Sequence, residues 1–389
     1  MSLRIPSIVL TMLAISVLFR SPLPAQFLYV ANSGANNVSG YTVNAFTGAL
    51  TEIQGSPFAA SGSPASVAVH PSGRFVYATG YYDTAGINGY LIDARTGQLS
   101  SLAGSPFPAA GGNVVIAIQP SGKFAYVTST GYEVLINSIQ RKTGGLEFLQ
   151  TSEVVPVSVH NLLIHPSGKF VYLTQDCALS GNVCDSDAPN TVQGYAADAK
   201  TAALTPLPGS PYAAGSTTGS LAVDPEGRFL YAGNKGSLDI SAYTVDRSTG
   251  ALTPITGSPF AAGSMSPLAM AVAAPRGSGH GREEDDAGGG FLYVSRGDSM
   301  IWGYKIDRTT GALTGISGSP WGDGNLSLAI SVDCTGKFLY AADYYAGSVS
   351  AFRIERRTGA LTSVEGSPFP AGNTPVALAE ACGARDHED

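Results

Sequence analysis

His160, Asp176, Lys235 and Arg296 are the side chains of this 389-residue sequence whose types suit hydrolytic chemistry. A histidine able to draw a proton from water, set beside cations able to hold a developing oxyanion, is the minimum apparatus for opening a cyclic ester. In that reading His160 is the general base and Arg296 the oxyanion partner. Asp176, Lys235, Tyr81 and Tyr344 are ligand contacts around them. The plainer reading of the same set is a polar rim that binds a small molecule or a protein without turning it over.

These residues are far apart in sequence, so a repeated framework has to bring them together. Strand-like Phe-x-Tyr segments begin at Phe27, Phe75, Phe124, Phe170, Phe229, Phe291 and Phe338, about 52 residues apart on average. Each is followed by a second marker of the Thr-Gly-x-Leu kind, such as Thr96-Gly97-Gln98-Leu99 or Thr358-Gly359-Ala360-Leu361, with Thr201-Ala202-Ala203-Leu204 as the variant in the fourth copy. Seven copies in step mean a repeat architecture. Within the second copy, Ser66 to His70, Phe75 to Thr79, Gly89 to Ile92 and Leu99 to Leu102 read as four strands. Pro71-Ser72-Gly73 forms one turn, and the hairpin Asp93 to Gly97 another, with Gly97 left-handed. Asp93 and its counterparts Asp198, Asp246, Asp307 and Glu355 are read as turn-stabilising acids. The recurring Gly-Ser-Pro-Phe runs are read as the crossing from an outer strand back to the axis.

Four antiparallel strands per unit, seven times over, describe an all-β, seven-bladed propeller that is one domain spanning residues 27–383. Phe27 opens a second strand with no first strand before it. Pro375-Val376-Ala377-Leu378-Ala379 is a first strand with no second after it, so the two ends are expected to share a blade. In this wheel the start of each first strand and the end of each second strand meet at one mouth of the channel. The start positions are Ala65, Val114, His160, Gly219 and Leu328; the end positions are Ser33, Tyr81, Thr130, Asp176, Lys235 and Tyr344, with Arg296 at or next to the remaining one. The charged members come from blades four to six and fall on one side of the mouth.

Composition agrees with this framework. With 48 glycines, 24 prolines and 13% charged residues, the chain favours turns over long helices, and 44% apolar residues supply a large core. A net charge of -7 provides no basic stripe for a phosphate backbone, so nucleic acid is excluded as a partner. Residues 1–26 read as an export signal, because the apolar run Ile5 to Phe19 is too short to span a bilayer. A periplasmic or extracellular protein with no membrane span after signal removal is therefore expected, ending in a polar tail at residues 384–389. Of the four cysteines, Cys177 and Cys184 lie in an insertion of the fourth repeat and are read as a disulfide staple. Cys334 and Cys382 share one turn position in neighbouring blades, and sequence leaves their pairing open. A second insertion, Arg276 to Gly290, holds His280, Glu283, Glu284, Asp285 and Asp286 among glycines and is read as a solvated loop, not a metal site. No metal or cofactor is called for.

The chain resembles the seven-bladed propeller lactonase family, which includes 6-phosphogluconolactonases and the fungal carboxymuconate cyclase. The resemblance is carried by His165-Pro166-Ser167-Gly168-Lys169-Phe170-Val171-Tyr172, Gln119-Pro120-Ser121-Gly122-Lys123-Phe124-Ala125-Tyr126 and Leu292-Tyr293-Val294-Ser295-Arg296-Gly297. It implies the propeller fold and a lactone substrate. It also implies a histidine opening the fourth inner strand, which is matched by His160 in Val159-His160-Asn161. Active members carry an arginine in a Gly-Pro-Arg-His phrase, then a glutamate in an Asn-Glu pair; those slots hold Gly219 and Lys235 here. A further family arginine, from a Ser-Asn-Arg-Gly phrase, survives as Arg296 without the asparagine before it, and a one-residue slip in a strand turns a side chain to the other face.

Overall fold

In a computed structural model, residues 26–81, 86–109, 112–129, 133–152, 159–175, 178–180, 183–185, 190–274, 289–322 and 325–382 are described. They form seven antiparallel blade sheets and one two-stranded sheet outside the blades, Ala178–Ser180 with Val183–Asp185. In the second blade the strands run outward from the axis as Pro64–Val69, Phe75–Gly80, Ile87–Ile92 and Leu99–Ser101, and every other blade repeats that order. The innermost strands adjoin one another in sequence order and the last adjoins the first, which closes the wheel. Closure is made as the unpaired ends required: Pro375–Ala381 lies antiparallel to Gln26–Asn32, with Tyr29 opposite Ala379 and Phe27 opposite Ala381. A disulfide between Cys334 and Cys382, with Cα atoms 5.8 Å apart, ties blade seven to the end of that last strand.

The core is divided among the seams. Seven apolar clusters are found among the described residues, each drawn from two neighbouring blades. No blade buries both of its faces alone. The two sequence markers keep step because they bond each other. The hydroxyl of each Phe-x-Tyr tyrosine donates to the backbone carbonyl of the marker glycine in the next blade: Tyr29 to Gly97, Tyr77 to Gly144, Tyr172 to Gly250, Tyr231 to Gly311, Tyr293 to Gly359 and Tyr340 to Gly48. In the fourth repeat Ala202 takes the glycine's place, still at positive φ (58°), and accepts from Tyr126 at 3.1 Å. Burial pushes these phenols well above their ordinary pKa, so they remain donors.

The turn residues act locally. Asp93 Oδ1 accepts from the backbone N–H groups of Arg95 and Thr96 and from the Thr96 hydroxyl, and those bonds hold its carboxyl below the ordinary range. Asp246 makes the same set with Ser248 and Thr249 and is lowered to about 2. In each Gly-Ser-Pro run the serine hydroxyl accepts a third-strand N–H, as Ser105 does from Gly89 at 2.9 Å, and the chain then pairs briefly with that third strand before returning to the axis. His70 and His165, on the turns opposite the mouth, are committed to structure. Their Nε2 atoms lie 2.8 and 2.9 Å from the carbonyls of Gly122 and Gly227, and their Nδ1 atoms accept from Ser72 and Ser167 N–H.

Candidate active site at the channel mouth

Each innermost strand carries one extra residue near its start, a β-bulge against the second strand. Pro64 pairs with Gly80 and Ser66 with Thr79, leaving Ala65 over. The same irregularity falls at Val114, His160, Gly219, Leu268, Leu328 and Val376. A bulge interrupts the ladder and re-aims the side chain it carries. The sequence reading found five of these seven sockets by position, and missed Leu268 and Val376. The repeat was legible, but a bulge has no signature in a two-residue alternation.

The facing ends of the second strands are pinned to the connectors that enter the blades. The backbone N–H groups of Ser33, Tyr81, Lys235, Gly297 and Tyr344 donate to the carbonyls of Thr374, Gly62, Thr217, Ser266 and Leu326, at 2.8 to 3.1 Å. These five positions are therefore equivalent, and in blade six the slot belongs to Gly297. Arg296 sits one position earlier, paired with Pro267, where blades one, five and seven have Asn32, Asn234 and Asp343. In those blades the residue is a buried polar node: Asp343 accepts from Ser327, Ser348 and Ser350 at 2.7 to 3.0 Å.

Arg296 fills that node with a larger group. It is 1% exposed, pairs through Nη2 with Asp298 Oδ2 at 3.2 Å, and stacks over the Trp302 ring at 4.4 Å. The connector presses on it, for a Cβ on Gly263 would lie 3.0 Å from its Cζ. Arg296 Nε and Nη1, Asp298 Oδ1 and Trp302 Nε1 have no hydrogen-bond partner among the described residues. The slot is countable, for Arg296 lies three residues past Tyr293 as Asn32, Asn234 and Asp343 lie three past Tyr29, Tyr231 and Tyr340. Tyr29 to Val38, Tyr231 to Ile240 and Tyr340 to Val349 each span nine positions, whereas Tyr293 to Ile301 spans eight. The hairpin that follows Arg296 is thus one residue shorter, while the arginine keeps the buried slot that its count from Tyr293 gives it.

Lys235 does occupy the mouth slot, half-buried, and its side chain runs back over the neighbouring bulge. A Cβ on Gly219 would lie 2.7 Å from Lys235 Nζ. The ammonium thus stands where a side chain at position 219 would begin. His160 is the bulge residue of the adjacent blade, whose innermost strand adjoins that of Gly219. The His160 side chain lies outside the described residues, as do Asp176 and Cys177; Cys184 lies in the short strand Val183–Asp185, paired with Ala178–Ser180, and its side chain is likewise outside them. Most of the acidic insertion and the first 25 residues also lie outside them. Tyr81 is 52% exposed on the opposite side of the rim, and Tyr344 is half-buried with its ring edge-on to Tyr345. Among the described residues no group of three or more His, Cys, Asp and Glu could hold a metal ion, and no helix is long and apolar enough to cross a membrane.

The sequence matches the family described as lactonase, 7-bladed β-propeller, over residues 24–117, 87–266 and 285–378. This chain belongs to that family. The lactonase-family wheel is also similar to solved structures of low sequence identity. It is 18% identical to a 6-phosphogluconolactonase candidate of Bacteroides fragilis, with a TM-score of 0.69 over 92% of this chain and 98% of that one. One from Bacteroides uniformis is 17% identical, with a TM-score of 0.70 over 92% and 99%. The periplasmic gluconolactonase of Pseudomonas aeruginosa is 15% identical, with a TM-score of 0.69 over 92% and 99%. No curated protein matches.

Proposed function

We propose that this lactonase-family propeller opens a cyclic ester of the sugar-lactone type at the channel mouth, outside the cytoplasm, with His160 as general base and Lys235 as the cation that holds the oxyanion. The observation that carries the reading is the path of Lys235 over Gly219. The family places an arginine at that bulge. Here the side chain is gone, and a cation returns to the same spot from the hairpin beside it. His160 takes a proton from water as the water oxygen bonds to the lactone carbonyl carbon, and the carbonyl oxygen becomes an oxyanion beside the ammonium. Collapse breaks the ring C–O bond, and the proton held by His160 passes to the departing alkoxide. Arg296, buried under its connector, supports the blade-six hairpin in this scheme. The apolar leader at residues 1–26 supports export, and a periplasmic gluconolactonase among the similar structures is consistent with it.

A lactone panel with wild type, His160→Ala, Lys235→Met and Gly219→Ala tests the scheme. Loss of the cation is expected to lower kcat about 10²- to 10³-fold. Gly219→Ala should do the same by displacing the flexible end of the lysine without unfolding the blade. Hydrolysis unaffected by His160→Ala would remove the mechanism. A second reading, a propeller that binds an anion without turnover, is favoured by one feature: the slot where active relatives carry a glutamate holds Lys235, so that carboxylate is not there to assist proton transfer. It predicts no hydrolysis of any lactone, together with anion binding that Lys235→Met abolishes.

A further inference from the structure

At the end of the channel away from the mouth, the closing strand departs from the other six innermost strands. The innermost residue paired with the middle position of the Phe-x-Tyr marker is Val69, Ile118, Ile164, Val223, Val272 or Val332 in six blades, and Glu380 in the blade that closes the wheel. A slot that elsewhere takes a branched apolar side chain therefore holds a carboxyl, whose charged form is costly to bury. Two residues further on, the turn position that is Pro71, Pro120, Pro166 or Pro225 in other blades is Cys334 in blade seven and Cys382 after the closing strand. The acid and the disulfide thus occur together, at one seam.

Both cysteines are exposed, whereas the Glu380 carboxyl points into the seam toward blade seven. Its Oε1 accepts from the Ser331 hydroxyl at 3.1 Å, its Oε2 lies 3.7 Å from Cys334 Sγ, and the Cys334 N–H donates to the same carboxyl. Asp333, beside it, is committed to its own turn, where it accepts from the N–H groups of Thr335, Lys337 and Phe338; Lys337 is that turn's cation. Tyr340, on the second strand of blade seven, donates to the Gly48 carbonyl. The flanking strands Gln26–Asn32 and Pro64–Val69 contain no charged residue, and their tyrosine, Tyr29, donates to Gly97. Burial, reinforced by the Asp333 charge, holds Glu380 in its neutral form well above the usual carboxylate range. A proton donor therefore stands next to one sulfur of an exposed S–S bond. When such a bond is cut the departing sulfur becomes a thiolate, and a proton delivered at that moment keeps a second anion from forming beside Asp333.

We infer that Cys334, Cys382 and Glu380 form a thiol–disulfide exchange centre, in which an external dithiol opens the disulfide and Glu380 protonates the departing Cys334 sulfur. One thiolate of the dithiol bonds to Cys382 Sγ, the Cys334–Cys382 bond breaks, and its electron pair leaves on Cys334 Sγ, which takes the Glu380 proton. The second sulfur of the dithiol, deprotonated by solvent, bonds to the first, and Cys382 departs as a thiolate that solvent protonates. The dithiol is oxidised to its disulfide, the protein disulfide is reduced by two electrons, and Glu380 regains its proton from solvent. In the reverse direction the Glu380 carboxylate takes the Cys334 proton as the bond re-forms. The centre lies away from the mouth and does not rest on the hydrolytic reading. Its test treats folded protein with dithiothreitol from about pH 6 to about pH 10, quenches with an alkylating agent, and follows Cys334 and Cys382 by peptide mass mapping. Wild type, Glu380→Gln and Ser331→Ala are compared, with rates divided by the thiolate fraction of the reagent. The amide has the shape of the protonated carboxyl and no proton to give, so Glu380→Gln should fold. Near pH 6 its disulfide is expected to open about 10²-fold more slowly than that of wild type. The corrected wild-type rate should fall as pH rises through about 8, whereas that of Glu380→Gln should stay flat. Ser331→Ala removes a bond that favours the carboxylate, so it should move the fall to higher pH with Glu380 itself unchanged. Equal rates and pH profiles in wild type and Glu380→Gln, or a Ser331→Ala profile that does not move, overturn the proton transfer. A disulfide that opens only as fast as the whole domain unfolds overturns the centre.

Discussion

Replacing both Cys334 and Cys382 by serine isolates what the covalent latch adds to the packed seam between blade seven and the last strand. The bond spans 48 residues of sequence. Loop-closure entropy for a segment of that length amounts to about 4 kcal/mol at room temperature, all of it acting on the unfolded chain. The folded seam should change little, because the last strand stays paired with Gln26–Asn32 and packed beside the blade-seven strands. With an unfolding entropy of about 2 cal/mol/K per residue, a propeller of this length should lose about 5 °C in Tm. The assay is scanning calorimetry of the double variant and of wild type under non-oxidising and reducing conditions, with thiol titration to confirm the state of the bond. Reduced wild type should melt with the double variant. A shift below about 1 °C would refute the entropic argument and show that blade seven stays organised in the unfolded ensemble. Deleting residues 374–389 removes the strand as well as the bond, and is expected to abolish the single cooperative transition.

Three other outcomes follow from the seams. Gly97→Ala puts a Cβ 2.6 Å from Ile53 Cδ1 at a φ of +75°, so left-handed strain and overpacking should together cost about 2 to 4 kcal/mol, read as a shift in the urea midpoint. Tyr293→Phe leaves the buried Gly359 carbonyl without its donor and should cost about 1 to 3 kcal/mol by the same measurement. Glu380 accepts from Ser331 at 3.1 Å; burial, with Asp333 beside it, pushes its carboxyl up to about 8. The folded form then keeps a proton that the unfolded form has released, so stability falls as pH rises from about 4.5 to about 8 and levels off above that. Glu380→Gln should remove this slope, and a pH–stability profile identical to that of wild type would contradict the assignment.

What the sequence made legible was whatever the wheel repeats. Phe-x-Tyr and Thr-Gly-x-Leu stay in step because a hydroxyl of one bonds a carbonyl of the other across every seam, so a shared physical constraint was visible as a shared spacing. The orphan strands at Phe27 and Pro375 revealed the closure for the same reason. The mouth was legible only in part. Position along the repeat placed Lys235 and Tyr81 in their slots, but the bulges break the alternation that such counting assumes. Arg296 was read as at or next to its mouth slot, and the count of three residues from Tyr293 puts it next to that slot, in the buried node. That Lys235 would fold over Gly219 depended on the trajectory of a flexible side chain, which no spacing encodes.

The bulges have a consequence for how such a wheel diversifies. Each socket hangs outside the regular ladder, and of the socket side chains that are described only Val376 packs against a seam cluster. Exchanging the others for the sake of a ligand should leave those seams and the tyrosine rivets in place. A charge can thus be supplied to a socket from the adjoining hairpin, as Lys235 supplies one over Gly219.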